Sequence, residues 1–267
     1  MTLPRLSADS PRFTSLALFL AISMLPVLGA HALDQRVFQG INVWTKPLKF
    51  QLALVVYLLT LAWFARFAPV ATRHQGRWIM HEQAIGWAIV AEMVWIGGAA
   101  AWGTASHFNQ STPLLAVVYG FMGLAAILLT TATTTLAVAI DRNPDTGLSP
   151  TVKAGLVWGL GLTLPLTLVT AGTMSLLSGH WVGGTGTDAG GLPLMGWSHD
   201  GGDLRVAHFF ATHAMQLIPL AAWVWARFLG HRKRWPALVM ALMYSGFVLW
   251  TFAQALRGLP FGLVSMM

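Results

Sequence analysis

The chain predicts an all-α integral membrane protein, a bundle of seven transmembrane helices with its N-terminus inside and its C-terminus outside. Three observations carry this. The composition is 55% hydrophobic and only 9% charged, whereas a soluble domain carries about 25% charged residues. Such a chain in water lacks the polar surface to cover itself, and lipid is the solvent that fits. Seven apolar stretches approach or exceed the roughly 17–25 residues needed to cross a bilayer. The Lys and Arg residues stand in short clusters between those stretches, as topology signals do.

The first stretch, residues 13–32, follows Arg5 and Arg12 and ends in Ala30, His31 and Ala32. It also resembles a secretory signal with a small-x-small cleavage site. We expect it to be a retained helix; cleavage of residues 1–32 would leave six spans. The second, residues 48–65, is opened by Trp44, Lys46, Pro47 and Lys49. Aromatic anchoring with lysines snorkelling to the headgroups accounts for these, and an anionic ligand or headgroup is the functional alternative. The third, residues 84–102, carries Glu92.

The fourth, residues 114–140, is long enough to tilt or protrude, and its run from Thr130 to Thr135 reads as small-residue packing. The fifth, residues 154–178, has Gly155 and Gly159 at a spacing that lets helices approach closely. Pro165 in the fifth and Pro219 in the sixth, residues 206–228, should bend their helices. The seventh is residues 237–256.

Counting alternate sides, eleven of the sixteen Lys and Arg residues fall on one side, Arg5, Arg12, Arg66, Arg73, Arg77, Arg232, Lys233 and Arg234 among them, and five on the other. The excess marks the inside. The whole of residues 1–267 reads as one transmembrane domain, with one long connection at 179–203 facing outward. Nine of that connection's residues are Gly, and its last three, Gly201, Gly202 and Asp203, suggest a turn and N-cap for the sixth helix.

Several functions are closed off. The net charge of +7 forms no stripe, so nucleic acid is not a partner. The absence of Cys removes disulfides, thiolate catalysis and Cys-ligated metal centres. No Walker loop or dinucleotide fingerprint is present, and His81-Glu82 fails as a zincin motif because Ile85 stands where the second His belongs. The seventh span has no Lys to anchor a retinal.

What remains is a set of polar residues at odds with lipid. Glu92, one of two Glu in the chain, sits near mid-span, where a carboxyl is neutral, paired or turned to a cavity. Its depth matches that of His213, so Glu92 and His213 are expected to form the floor of an outward-facing pocket with Arg205 and Asp203 near its rim. His107, His180, His199 and His208 gather toward the same outer side and are the candidate ligands for copper, zinc or a haem iron. The 179–203 loop would then be ordered by that ligand, since its glycines otherwise leave it mobile. His208 and His213 lie about 140° apart around one helix, so they cannot share an ion.

Three functional readings follow from these residues. One is a protein of the plasma (inner) membrane with a His/Glu pocket for a metal, haem or small ligand. Another is a proton-coupled permease with Glu92 as the proton carrier. The third is a non-catalytic accessory or assembly subunit, which would bring other membrane subunits as partners beside the bilayer. Whether any reaction is catalysed is left open.

Overall fold

Among the described residues, six helices are long and apolar enough to cross a membrane, and a seventh span results if one bent helix pair counts as a single crossing. The computed structural model describes residues 2–230 and 232–262 and is 71% helical. Its chain contacts divide into two compact units, Met1–Ala139 and Ile140–Met267.

The first unit opens with a short helix α1 (Leu3–Asp9) and continues into α2 (Pro11–Leu33). Proline at the start of each fits a position where an N–H has no helical partner. A two-residue hairpin of β1 (Val37–Phe38) and β2 (Ile41–Asn42) follows. Gln39 and Gly40 both take positive φ there, as the tight turn matching strand twist requires. Then come α3 (Thr45–Ala65), α4 (Val70–Arg73) and α5 (Gly76–Trp102), and α6 (Pro113–Asp141) runs to the end of the unit and just past it.

The α2, α3 and α5 helices pack together. Because lipid gives no hydrophobic drive between helices, shape and polar contacts hold them. The α5 helix begins well before the expected residue 84. Its polar first turns are satisfied by α2 and the residue before it: Ser10 and Arg12 both donate to the Glu82 carboxylate at 3.2 Å. Arg73 likewise donates to the Asp9 carbonyl at 2.7 Å. A hydropathy reading cannot see partners supplied from seventy residues away.

The second unit consists of α7 (Pro150–Leu176), the paired strands β3 (Trp181–Val182) and β4 (Gly202–Asp203), α8 (Leu204–Thr212), α9 (Ala214–Phe228) and α10 (Trp235–Leu256). Ser149 caps α7 by accepting from the Val152 N–H. Gly155 and Gly159 work as their spacing predicts. A Cβ on Gly155 would overlap the Ala222 Cβ, and one on Gly159 would meet Pro219 Cδ at 2.7 Å and the Ala214 carbonyl at 2.8 Å. The core beside them is Leu166, Ala211, Ala214, Ile218, Ala241 and Val248.

The sixth span departs from expectation. It is broken at His213 into α8 and α9, which meet at 56°, rather than bent at Pro219. The cause is local side-chain competition for backbone groups. The His213 Nδ1 lies 2.7 Å from the Phe209 carbonyl and its ring stacks on that of Phe209 at 4.0 Å. One residue on, the Tyr244 hydroxyl of α10 donates to the Phe210 carbonyl at 2.7 Å.

Candidate functional site

Polar side chains inside the first unit form two layers. The inner one is Ser10, Arg12 and Glu82, closed by the bonds above; His81 adds a 2.8 Å contact with the Thr131 hydroxyl of α6. Phe13, Leu61, Glu82 and Ile85 line a small cavity beside it. In the Thr run of α6, Thr130 donates to the Ala126 carbonyl, Thr133 to that of Thr130 and Thr135 to that of Thr131, while Thr134 Oγ1 is buried without a partner among the described residues.

The second layer holds Glu92 and Gln51. Glu92 is 6% exposed and its Oε1 has no hydrogen-bond partner. The charge acting on it is that of Lys46 in the first turn of α3. Gln51 is 4% exposed; its Nε2 donates to Ser23 Oγ at 3.0 Å, and its Oε1 is buried without a partner. The sequence signal for Gln51 was there to be used: it is the single amide side chain within residues 48–65.

Above these, Asp34 accepts from Arg36 at 2.6 Å and from Trp44 Nε1 at 2.9 Å. The Arg36 guanidinium first, and Trp44 after it, hold the Asp34 carboxyl well below the usual carboxylate range. Arg36 also donates to the Ala101 carbonyl at 2.9 Å, tying the hairpin to the end of α5. Trp44 is thus a hydrogen-bond donor as well as an interfacial anchor.

The second unit centres on Asp203. Its side chain accepts from the N–H groups of Ser198 at 3.1 Å and Arg205 at 3.0 Å, and from the Arg205 guanidinium at 2.6 Å. Arg205 donates onward to the Gly196 carbonyl at 2.9 Å and pairs with Asp188 at 2.7 Å. His180 Nδ1 lies 3.5 Å from Asp203. Burial alone would raise the Asp203 carboxyl, but His180 and Arg205 outweigh it and hold it well below the ordinary value. Burial holds the His180 imidazole down, against the pull of Asp203.

Asp203 therefore caps α8, as its position after Gly201-Gly202 predicts, and also organises the long connection. Asp200 adds bonds from the Thr185 N–H at 3.0 Å and Ser198 Oγ at 2.8 Å. Trp197 packs at 5.5 Å on both Phe209 and Phe261. Within residues 179–203 the contacts are supplied by the chain's own carboxylates and by Arg205. Five of the segment's glycines, Gly183, Gly184, Gly186, Gly190 and Gly196, take positive φ and serve as its turns.

The expected pocket residues are thus placed as follows. Asp203 and Arg205 meet in the second unit, Glu92 belongs to the first, and His213 sits at the break between α8 and α9. Of the expected metal ligands, His107 lies in the first unit, with Ser106 Oγ at 3.1 Å and the Phe50 ring at 5.2 Å. His180 is at Asp203, His208 meets the Thr170 hydroxyl at 3.1 Å, and His199 follows Ser198 in the loop. Among the described residues, no group of three or more His, Asp or Glu side chains stands close enough to hold a metal ion. His231, expected on the inner side, lies outside the described residues.

The helices have the length and apolar character of a multi-pass membrane protein in a lipid environment. Compared with protein-family models, with curated proteins and with solved structures, the chain matches none.

Proposed function

We propose that the chain is a seven-span protein of the plasma (inner) membrane, N-in and C-out, that binds a small ligand in an outward-facing polar pocket. Glu92 is its working group, carrying a proton when the pocket is empty and giving it up when the ligand arrives. One observation carries the reading. Glu92 is buried in a candidate span with a carboxyl oxygen that none of the described residues partners. Such a group is costly in hydrocarbon and is kept where it has work to do. Its counterpart Glu82, on the same helix, is closed by Ser10 and Arg12 and reads as structural. Metal and haem take second place to a small ligand because no cluster of His, Asp or Glu side chains forms among the described residues.

A hydrophobic carbodiimide tests this, since it attacks protonated carboxyls in apolar surroundings. The protein in lipid vesicles should be labelled at Glu92, faster as the pH falls, and Glu92→Gln should lose the label. Labelling confined to Glu82 or to loop aspartates would sink the proposal.

A further inference from the structure

The same three helices carry polar side chains at one common level, and the register shows it. Phe13 of α2, Leu61 of α3 and Glu82 of α5 line a single cavity. Ten residues along each helix from that cavity, about 15 Å at 1.5 Å per residue, stand Ser23, Gln51 and Glu92. The α3 helix is counted backward and the other two forward, in keeping with antiparallel neighbours. The Ser23–Gln51 bond at 3.0 Å ties two of the three together at that level.

The orientation of the Gln51 amide is set by its neighbour. Ser23 Oγ gives its proton to the Leu20 carbonyl at 2.9 Å, so its oxygen is left to accept, and the Gln51 group facing it is Nε2. The Gln51 Oε1 must then point elsewhere. It is buried without a partner, as is Oε1 of Glu92. Two acceptor oxygens without donors among the described residues, in side chains of residues 4% and 6% exposed, carry a cost that an incoming donor or cation removes.

We propose that Ser23, Gln51 and Glu92 form the binding layer for a small monovalent cation, with Oε1 of Gln51 and Oε1 of Glu92 as its ligands. This deepens the function proposed above and rests on it: the ligand that takes the place of the Glu92 proton is the cation. One carboxylate sets the charge at one. Hard carboxylate and amide oxygens suit an alkali-metal ion or a small primary ammonium group. Ser23 acts as a positioning residue, holding the amide with its oxygen free. Lys46 acts on Glu92 from the first turn of α3 and offsets its charge without partnering Oε1, so the cation competes with Lys46 as well as with the proton.

The experiment is protection from carbodiimide. The full chain in vesicles is labelled in sodium chloride, in methylammonium chloride and in N-methylglucamine chloride at equal ionic strength, and Glu92 modification is read by mass spectrometry. A cation at ten times its dissociation constant should slow labelling about tenfold relative to N-methylglucamine. Protection by sodium identifies an inorganic ion, and protection by methylammonium alone an ammonium ligand. Gln51→Met should still be labelled at Glu92 but lose the protection, and Ser23→Ala should weaken it, which keeps the test alive if the Gln51 variant fails to fold. Equal labelling in all three salts overturns the cation layer while leaving the Glu92 reading intact. Full protection in Gln51→Met also overturns it. Absence of label on Glu92 in every salt overturns the Glu92 reading itself.

Discussion

Asp203 joins Ser198, Arg205 and His180, and removing it exposes what it holds. Its side chain is fully buried against Arg205, and hydrogen bonds to charged groups contribute about 1.5–3 kcal/mol each. Asp203→Ala should therefore lower stability by about 2–3 kcal/mol, read as a fall in the thermal midpoint of the purified protein. A cysteine placed at the exposed Ala189 should also react faster with thiol reagents in that variant. The pH dependence has a definite sign. A free imidazole takes its proton near 6.5, and burial holds His180 below that. As the pH falls, the unfolded chain binds the proton first, so stability drops from pH 6.5 downward and levels off once the folded imidazole also charges. Asp203 adds to the trend at lower pH: its depressed carboxyl contributes stability that is present above the ordinary value of 3.8 and lost as the pH falls through the folded one. The thermal midpoint should thus decline on mild acidification, and His180→Gln should flatten the part that begins at 6.5. An unchanged slope in that variant would remove His180 from the account.

Helix α7 offers an internal control for close packing. Gly155→Ala puts a methyl where the Ala222 Cβ already stands, whereas a Cβ on Gly161 meets nothing within 4 Å. Overpacking of this type costs about 1–3 kcal/mol, while Gly161→Ala should be neutral or stabilise by roughly 0.5–1 kcal/mol through lost chain entropy. Thermal unfolding of the two variants reads the contrast directly, and similar midpoints would mean that α7 and α9 separate freely. This packing was legible from the GxxxG spacing because it depends on backbone approach alone. The existence of the apolar helices was legible for a similar reason, since composition over twenty residues decides it. The break at His213 was not. It depends on an imidazole folding back on the Phe209 carbonyl and on a hydroxyl arriving from Tyr244, thirty-four residues away, and neither leaves a periodic trace. Pro219 drew attention instead, yet it stands inside α9, beyond the break at His213. The early start of α5 was hidden in the same way, because Arg12 and Ser10 neutralise Glu82 only after α2 has packed against it.

The orientation of the whole chain is open to a clean chemical test, because the parent protein has no Cys. Cysteines at Ala189 and at Arg232 should react from opposite sides of the membrane, Ala189 from outside. Labelling of Ala189→Cys from the cytoplasm alone would reverse the topology inferred from the basic residues. The candidate site was only partly readable in advance. Glu92 stood out because an acid in hydrocarbon is rare, and Gln51 as the single amide of residues 48–65 carried a signal of the same type, whereas Ser23 is ordinary until α2 and α3 bring it to Gln51. Among the described residues the imidazoles gather into no group of three or more with other His, Asp or Glu side chains, and shared sequence depth alone does not make side chains converge. The division of the contacts at Ala139 and Ile140 has a further consequence, for synthesis at the ribosome. Every contact that builds the Ser10–Glu82 and Ser23–Gln51 layers is made within the N-terminal half. Translation proceeds at about 5–20 residues per second, so that half emerges on the order of ten seconds before the chain is finished. Its polar layers can close during elongation, and carboxyls that lipid would otherwise penalise are sheltered while the rest of the polypeptide is still being made.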